Sequence, residues 1–254
     1  MPPRYLCAAR TDVGLKREHN EDSFLVNEDL GLYVVCDGMG GHAGGETASR
    51  LAIQTIEREL LSARLRKDNP FAVEAKLEQS PLAGALREAI EGACAAVFRT
   101  SRKNPELSGM GTTCISLLLR GTQALVGHVG DSRAYLVRGG EVHQLSEDHS
   151  LVNEQVRAGL LSEEEAKHSR LKNIITRSVG FEEDVLVDLI GVETEPLDRL
   201  LLCSDGLSNL IDNGEIRDAL LAHPLEEVPG VLIQLGNDRG GDDNLTVVAL
   251  QRVE

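Results

Sequence analysis

Four apolar runs of this chain begin or end at an aspartate, and that pattern constrains the fold more than any other feature. Asp37 closes Leu32-Tyr33-Val34-Val35-Cys36 and is followed by Gly38. Asp131 closes Ala124-Leu125-Val126-Gly127-His128-Val129-Gly130, and Asp205 closes Leu200-Leu201-Leu202-Cys203-Ser204 ahead of Gly206. Asp243 opens Asn244-Leu245-Thr246-Val247-Val248-Ala249-Leu250 behind a Gly240-Gly241-Asp242 turn. β-rich apolar runs bounded by Gly and Asp predict buried strands. A carboxylate at a strand end is held by rigid backbone yet faces an opening. Four of them, from distant parts of the chain, are expected to converge on one point.

The remaining elements group in blocks. Short strands are expected around 4–9, 22–27 and 31–37, followed by the Gly-rich turn from Gly38 to Gly45. A helix over about 46–63 carries Ala48, Leu51, Ala52, Ile56 and Leu60 on one stripe. A second, over about 81–101, carries Leu82, Leu86, Ile90, Cys94 and Val97. The charged stretch 62–80 between them contains Asp68-Asn69-Pro70 and predicts a loop or broken helix. A β meander follows over 112–120, 123–130, 133–138 and 141–145, with Gly121-Thr122 and Gly139-Gly140 where two-residue hairpin turns belong. Strands return at 185–193 and 198–203, then helices at about 213–222 and 225–236, and a last strand at 244–252. Strands grouped with strands and helices with helices argue against alternating βαβ units. The expected class is α+β: two antiparallel sheets, each covered by a helical pair. No linker divides the chain, so residues 1–254 are expected to form one domain. Residues 147–184 are polar, rich in Glu and Lys, and lack a long apolar strand. They predict a surface excursion, and long loops of this kind are often functional.

Bulk properties exclude several classes. The 254 residues carry 41 acidic and 26 basic side chains, a formal charge of −15. Nucleic acids and anionic membrane surfaces select basic patches, so neither is an expected partner. Cys36, Cys114 and Cys203 lie inside apolar runs, and none of the five cysteines forms a CxxC pair. They are expected to be reduced core residues of a cytoplasmic protein. The first residues lack the apolar region of a signal peptide. No apolar stretch approaches the ~20 residues of a transmembrane helix.

Carboxylates that converge without partners repel one another and are driven neutral. Hard divalent cations such as Mg²⁺ or Mn²⁺, which take oxygen ligands, relieve that repulsion. Asp37 is the best candidate to bridge two ions, and Gly38 can turn its carbonyl toward a metal at little steric cost. Asp205 and Asp243 would complete one ion, with Asp131 placed to serve a third. Two ions ~3.5–4 Å apart lower the pKa of a bridging water and clamp an in-line displacement at phosphorus. Each Asp-Gly pair taken singly is also ordinary turn chemistry. A second cluster, Arg17-Glu18-His19-Asn20-Glu21-Asp22, precedes a strand. Glu21 and Asp22 would suit holding the waters around the ions. Arg17 would suit gripping a phosphate. The same six residues also fit a solvated charged turn.

Six motifs occur in order: Arg17…Glu21-Asp22, Asp37-Gly38-Met39-Gly40-Gly41-His42, Ser108-Gly109-Met110-Gly111-Thr112-Thr113, Gly127-His128-Val129-Gly130-Asp131-Ser132-Arg133, Ser204-Asp205-Gly206 and Asp243-Asn244. Over nearly the whole chain they resemble the metal-dependent PP2C-type (PPM) protein serine/threonine phosphatases in their compact bacterial form. The resemblance implies a central β-sandwich flanked by helices in α-β-β-α layers. It implies a binuclear Mn²⁺/Mg²⁺ centre on Asp37, Gly38, Asp205 and Asp243, a third ion on Asp131 and Asp205, and a phosphate-binding Arg17. Residues 147–184 then correspond to the flap beside the site. The implied reaction is a single displacement on phosphoserine or phosphothreonine, on protein substrates phosphorylated by a bacterial Ser/Thr kinase, by a cytoplasmic monomer. One departure matters. Met39 stands where many eukaryotic relatives have a histidine after Asp-Gly, and His42 fits a turn or helix start, so no general acid is assigned.

Two other readings compete. Gly38-Met39-Gly40-Gly41-His42-Ala43 matches the G-x-G-x-x-A fingerprint of dinucleotide-binding proteins. Against it, Asp37 would repel a pyrophosphate, and no parallel strand is expected after the first helix. A non-catalytic scaffold of the same fold is the other, and the filled metal positions argue against it.

Overall fold

The unbroken apolar runs become strands because both of their faces are covered. In a computed structural model that describes residues 3–40, 43–72, 80–167 and 169–253, the chain begins with β1 (Tyr5–Asp12), β2 (Ser23–Asn27), β3 (Leu32–Cys36) and β4 (Gly38–Met39). Helices α1 (Ala43–Arg64) and α2 (Pro81–Lys103) follow. Then come β5 (Gly111–Thr112), β6 (Cys114–Arg120), β7 (Gln123–Val129), β8 (Arg133–Arg138) and β9 (Glu141–Gln144). After α3 (Leu151–Arg157) and α4 (Glu163–Lys167) the chain forms β10 (Asp188–Glu193), β11 (Arg199–Cys203), α5 (Asp205–Ser208), α6 (Asn213–Ala222), α7 (Val228–Asp238) and β12 (Leu245–Arg252).

The strands form two five-stranded antiparallel sheets, β1-β12-β11-β8-β9 and β10-β7-β6-β3-β2, with β4 and β5 as a short extra pair. They pack face to face through Tyr33, Val35, Ile115, Leu117, Leu200, Leu202, Val248 and Leu250. The alternate residues of the same strands face outward. Leu32, Val34, Cys36, Cys114 and Leu118 pack under α1 and α2, against Ala52, Ile56, Leu60, Leu86 and Ile90. Leu201, Cys203, Leu245, Val247 and Ala249 pack under α6 and α7, against Ile216, Leu220 and Leu232. Strands covered on both faces need apolar residues at every position, which is why the sequence shows runs rather than alternation. The fold is α+β, an antiparallel sandwich flanked by helical pairs.

Local chemistry sets several boundaries. Ser80 accepts a hydrogen bond from the Ala83 N–H at 3.1 Å and Pro81 occupies the first turn, which starts α2. Gly139 and Gly140 both have positive φ (59° and 85°), as a tight hairpin between Arg138 and Glu141 requires. Two boundaries differ from expectation. The strand expected from 185 starts at Asp188, opposite His128 of β7. α1 starts at Ala43, earlier than expected, and its stripe Ala48, Ala52, Ile56 and Leu60 is buried while Leu51 is partly exposed.

Candidate functional site

Strand ends from both sheets meet at one end of the sandwich. Asp37 leaves β3, Asp131 follows β7 through Gly130, and Asp22 leads into β2, all from one sheet. Asp205 leaves β11 and opens the short α5, and Asp243 stands two residues before β12, both from the other sheet. The Asp37 and Asp205 carboxyls act directly on each other, and Asp37 also feels the charges of Asp22 and Asp131. Asp243 faces Asp205 and Asp22 electrostatically. The structure therefore brings together all four aspartates that bound the apolar runs, and adds Asp22 behind them.

The backbone around Asp37 is tightly held. Its N–H donates to Thr113 Oγ1 at 2.9 Å, and its carbonyl accepts from the Thr113 N–H and the Thr112 hydroxyl, both at 2.8 Å. Thr113 Oγ1 lies 2.7 Å from Ser132 Oγ, which joins this clamp to the residue after Asp131. Gly38 is required by close approach: a Cβ there would lie 2.1 Å from the Gly45 carbonyl oxygen and 2.6 Å from that of Glu21. The Gly38 N–H donates to the Glu21 carbonyl at 3.2 Å.

Crowding of like charge shows in the titration of the group. Desolvation, then the charges of Asp22, Asp205 and Asp131, push the Asp37 carboxyl well above the ordinary range. Asp131 is raised in the same way, by desolvation and by Asp205 and Asp148. Asp205 is raised by desolvation, partly opposed by its interaction with the Asp37 carboxyl. Asp22 is buried, and its carboxyl is pushed up to about 7 by desolvation, against the hydrogen bonds it accepts. Those bonds come from Ser204 Oγ at 2.8 Å and Thr246 Oγ1 at 2.6 Å, both to Oδ2, while Oδ1 has no hydrogen-bond partner. Four buried carboxyls raised together, with Asp243 beside them, are what an all-oxygen pocket for hard divalent cations looks like from the protein side.

Arg17 stands at the rim, half exposed, with Nη2 2.7 Å from Asp243 Oδ2. Glu21 packs against the start of α1, where a Cβ on Gly45 would meet its carboxyl carbon at 2.7 Å. Its N–H donates to Asn244 Oδ1 at 2.8 Å. Asn244 in turn donates to the carbonyls of Val13 and His19, at 2.9 and 3.0 Å, and so pins the loop that carries Arg17. Met39 lies in β4 and is partly exposed, whereas His42 lies outside the described residues. The glycine-rich turn does not serve a βαβ unit, because the strand that follows α1 and α2 in this sheet, β6, runs antiparallel to β3.

Several residues of the neighbourhood were not picked out from the sequence. Asp148 takes Arg133 in a fork, Nε to Oδ1 at 2.9 Å and Nη2 to Oδ2 at 2.7 Å. His149, Arg177 and Asp188 form a network behind Asp131, with His128 stacked on His149 at 4.6 Å between ring centroids. Ser204 and Thr246 hold Asp22. Only His128, Arg133 and Ser204 lay in a recognisable motif. The others are single polar residues spread along the chain, with no spacing that links them.

The comparisons with known proteins agree with this geometry. The family model for protein phosphatase 2C matches residues 16–234. A serine/threonine phosphatase stp of Listeria welshimeri is 37% identical over 247 residues, covering 96% of this chain and 94% of its own. The crystal structure of the Mycobacterium tuberculosis serine/threonine phosphatase PstP/Ppp superposes with a TM-score of 0.86 at 34% identity, over 100% of both chains. A structure of the PstP catalytic domain in complex with two manganese ions superposes with a TM-score of 0.83 at 35% identity, over 98% of this chain and 99% of that one. The chain belongs to the protein phosphatase 2C family of metal-dependent serine/threonine phosphatases.

Proposed function

We propose that the aspartate pocket is the metal centre at which this chain hydrolyses phosphoserine and phosphothreonine on proteins. The observation that supports it most is the convergence of Asp37, Asp131, Asp205 and Asp243 from four strand ends of two sheets, with the carboxyls of Asp37, Asp131 and Asp205 raised by burial and by one another's charge. In this reading Asp37, the Gly38 carbonyl, Asp205 and Asp243 would hold two Mn²⁺ or Mg²⁺ ions, and Asp131 with Asp205 would hold a third. Glu21 and Asp22 steady the waters around them, and the unpartnered Oδ1 of Asp22 suits that role. Bound there, the ions supply Lewis acidity and a nucleophilic water at neutral pH.

The protein's own residues do the rest. Arg17, at the mouth and pinned through Asn244, offers a guanidinium fork that matches two phosphate oxygens. Thr112 and Thr113 keep the Asp37 backbone rigid, so its carboxylate would meet a cation without reorganising. The chain acts as one catalytic domain, with residues 147–184 as a flap beside the site, and it works as a monomer in the cytoplasm opposite a Ser/Thr kinase. Among the described residues no helix is long and apolar enough to cross a membrane.

Asp205→Asn and Asp243→Asn are the direct test. Each removes an anionic ligand and keeps the side-chain shape. Turnover of p-nitrophenyl phosphate and of a phosphothreonine peptide is expected to drop by about three orders of magnitude or more, as for loss of the group that makes the nucleophile. EDTA is expected to silence the wild type, and added Mn²⁺ to restore it. Near wild-type rates in either variant at saturating Mn²⁺ would sink the assignment.

A further inference from the structure

The two residues that open the 147–184 excursion grip the chain on both sides of Asp131. Asp148 holds the Arg133 guanidinium, two residues after Asp131. His149 holds the Gly130 peptide at both ends: its N–H donates to the Gly130 carbonyl at 2.8 Å, and its ring Nδ1 accepts from the Gly130 N–H at 3.0 Å. Gly130 has φ +111°, and a Cβ there would lie 2.7 Å from Thr113 Cβ, so no other residue can make this turn. The Gly130 N–H is in the peptide from Val129 and the Gly130 carbonyl in the peptide that leads into Asp131, so His149 holds the backbone on both sides of the Gly130 Cα just where the Asp131 carboxylate leaves the strand.

The excursion is zipped at its neck. The Leu151 N–H donates to the Ile174 carbonyl, and the Thr176 N–H to the His149 carbonyl, both at 2.8 Å. Arg177, the next residue, and Asp188, the first of β10, close the network. Because Nδ1 of His149 accepts a hydrogen bond, the proton of the neutral ring is on Nε2, which donates to Asp188 Oδ2 at 3.0 Å. The Arg177 guanidinium donates to the other carboxylate oxygen, Nη1 to Oδ1 at 2.9 Å. His128, His149 and Asp188 lie close enough together to suggest a metal site. The tautomer argues otherwise: an ion on Nε2 would require an imidazolate, and Arg177 already balances the Asp188 charge.

We infer that His149 is a positioning residue, oriented by Asp188 and Arg177, that ties the neck of the 147–184 excursion to the Gly130 peptide and thereby sets the position of the Asp131 carboxylate. The inference rests on the reading that Asp131 serves an ion used in turnover.

A double-mutant cycle with the Mn²⁺-loaded protein and a phosphothreonine peptide tests it. His149→Ala is expected to lower kcat about tenfold with little change in KM, the size of coupling seen within one hydrogen-bond network. It is also expected to raise the Mn²⁺ concentration needed for half-maximal rate. In an Asp131→Ala background the same change is expected to alter kcat by less than about twofold, because the group it acts through is gone. Effects that multiply in the double variant overturn the inference. A conservative pair keeps the test decisive if the alanine variant folds poorly. The Asn side chain can place an oxygen where Nδ1 stands and keep the Gly130 bond, whereas Gln reaches toward the Nε2 position and loses it. His149→Asn is expected to recover most of the rate and His149→Gln little. Equal loss in both would overturn the inference. Wild-type kcat in Asp131→Ala alone would overturn the reading of Asp131 and the inference with it. Full activity in Asp205→Asn would instead remove the metal reading as a whole.

Discussion

Asp22→Asn removes the titration of one buried carboxyl, and with it a charge that raises Asp37. In the folded protein Asp22 titrates at about 7, against an ordinary value of 3.8, chiefly because burial penalises its charge. The folded state therefore keeps a proton that the unfolded chain releases. Its contribution to stability is fully present below pH ~4 and is lost as pH rises through ~7. A shift of about three units corresponds to ~4 kcal/mol, of which ~2 kcal/mol disappears between pH 5 and pH 7. For a chain of this length ~1 kcal/mol moves Tm by roughly 2–4 °C. In EDTA, the Tm of the wild type minus that of Asp22→Asn is expected to fall by roughly 4–8 °C from pH 5 to pH 7. The comparison matters because His128 and His149, both lowered by burial, titrate in the opposite sense over the same window. Both proteins contain them, so their effect cancels in the difference. Saturating Mn²⁺ is expected to flatten the trend, since bound cations favour the ionised carboxylate. Parallel melting curves for the two proteins across pH 5–7 in EDTA would refute the reasoning.

Arg17→Ala is expected to lower kcat/KM on a phosphothreonine peptide roughly ten- to a hundredfold, the worth of a charged hydrogen bond to phosphate, with metal binding by calorimetry unchanged. Wild-type kcat and KM would make Arg17 a surface charge. Asp131→Ala is expected to keep two tightly bound ions and lose peptide turnover. In a crystal grown with excess Mn²⁺ it should lack one anomalous peak beside Asp205, with Tm unchanged. An unchanged peak count with a lowered Tm would make Asp131 a turn residue only. Gly38→Ala is expected to fail even at saturating Mn²⁺, because its Cβ would overlap the Gly45 carbonyl at 2.1 Å. A soluble, active Gly38→Ala protein would contradict the backbone placement around Asp37.

The sequence by itself determined the layers and the principal acidic residues. Runs such as Leu32–Cys36 and Leu200–Cys203 could only be strands covered on both faces, and the blocks of helices said what covers them. The aspartates were legible because a charge at the end of an apolar run is a local signal, visible without knowing where the run sits. The tertiary structure alone decided the rest, since it depends on which distant residues become neighbours. Whether Glu21 and Asp22 are a solvated turn or part of the pocket could not be read locally. The fold buries Asp22 against Ser204 and Thr246, more than 180 residues away in sequence, which no local window shows. The pairing of β4 with β5 is two residues long and forms only because α1 and the Asp37 clamp hold the strands together. The His149 network joins residues from four separate stretches, and each alone resembles an ordinary polar surface residue. Hydrophobic pattern is written in short windows, but hydrogen-bond partnership across a sandwich is a property of the closed fold.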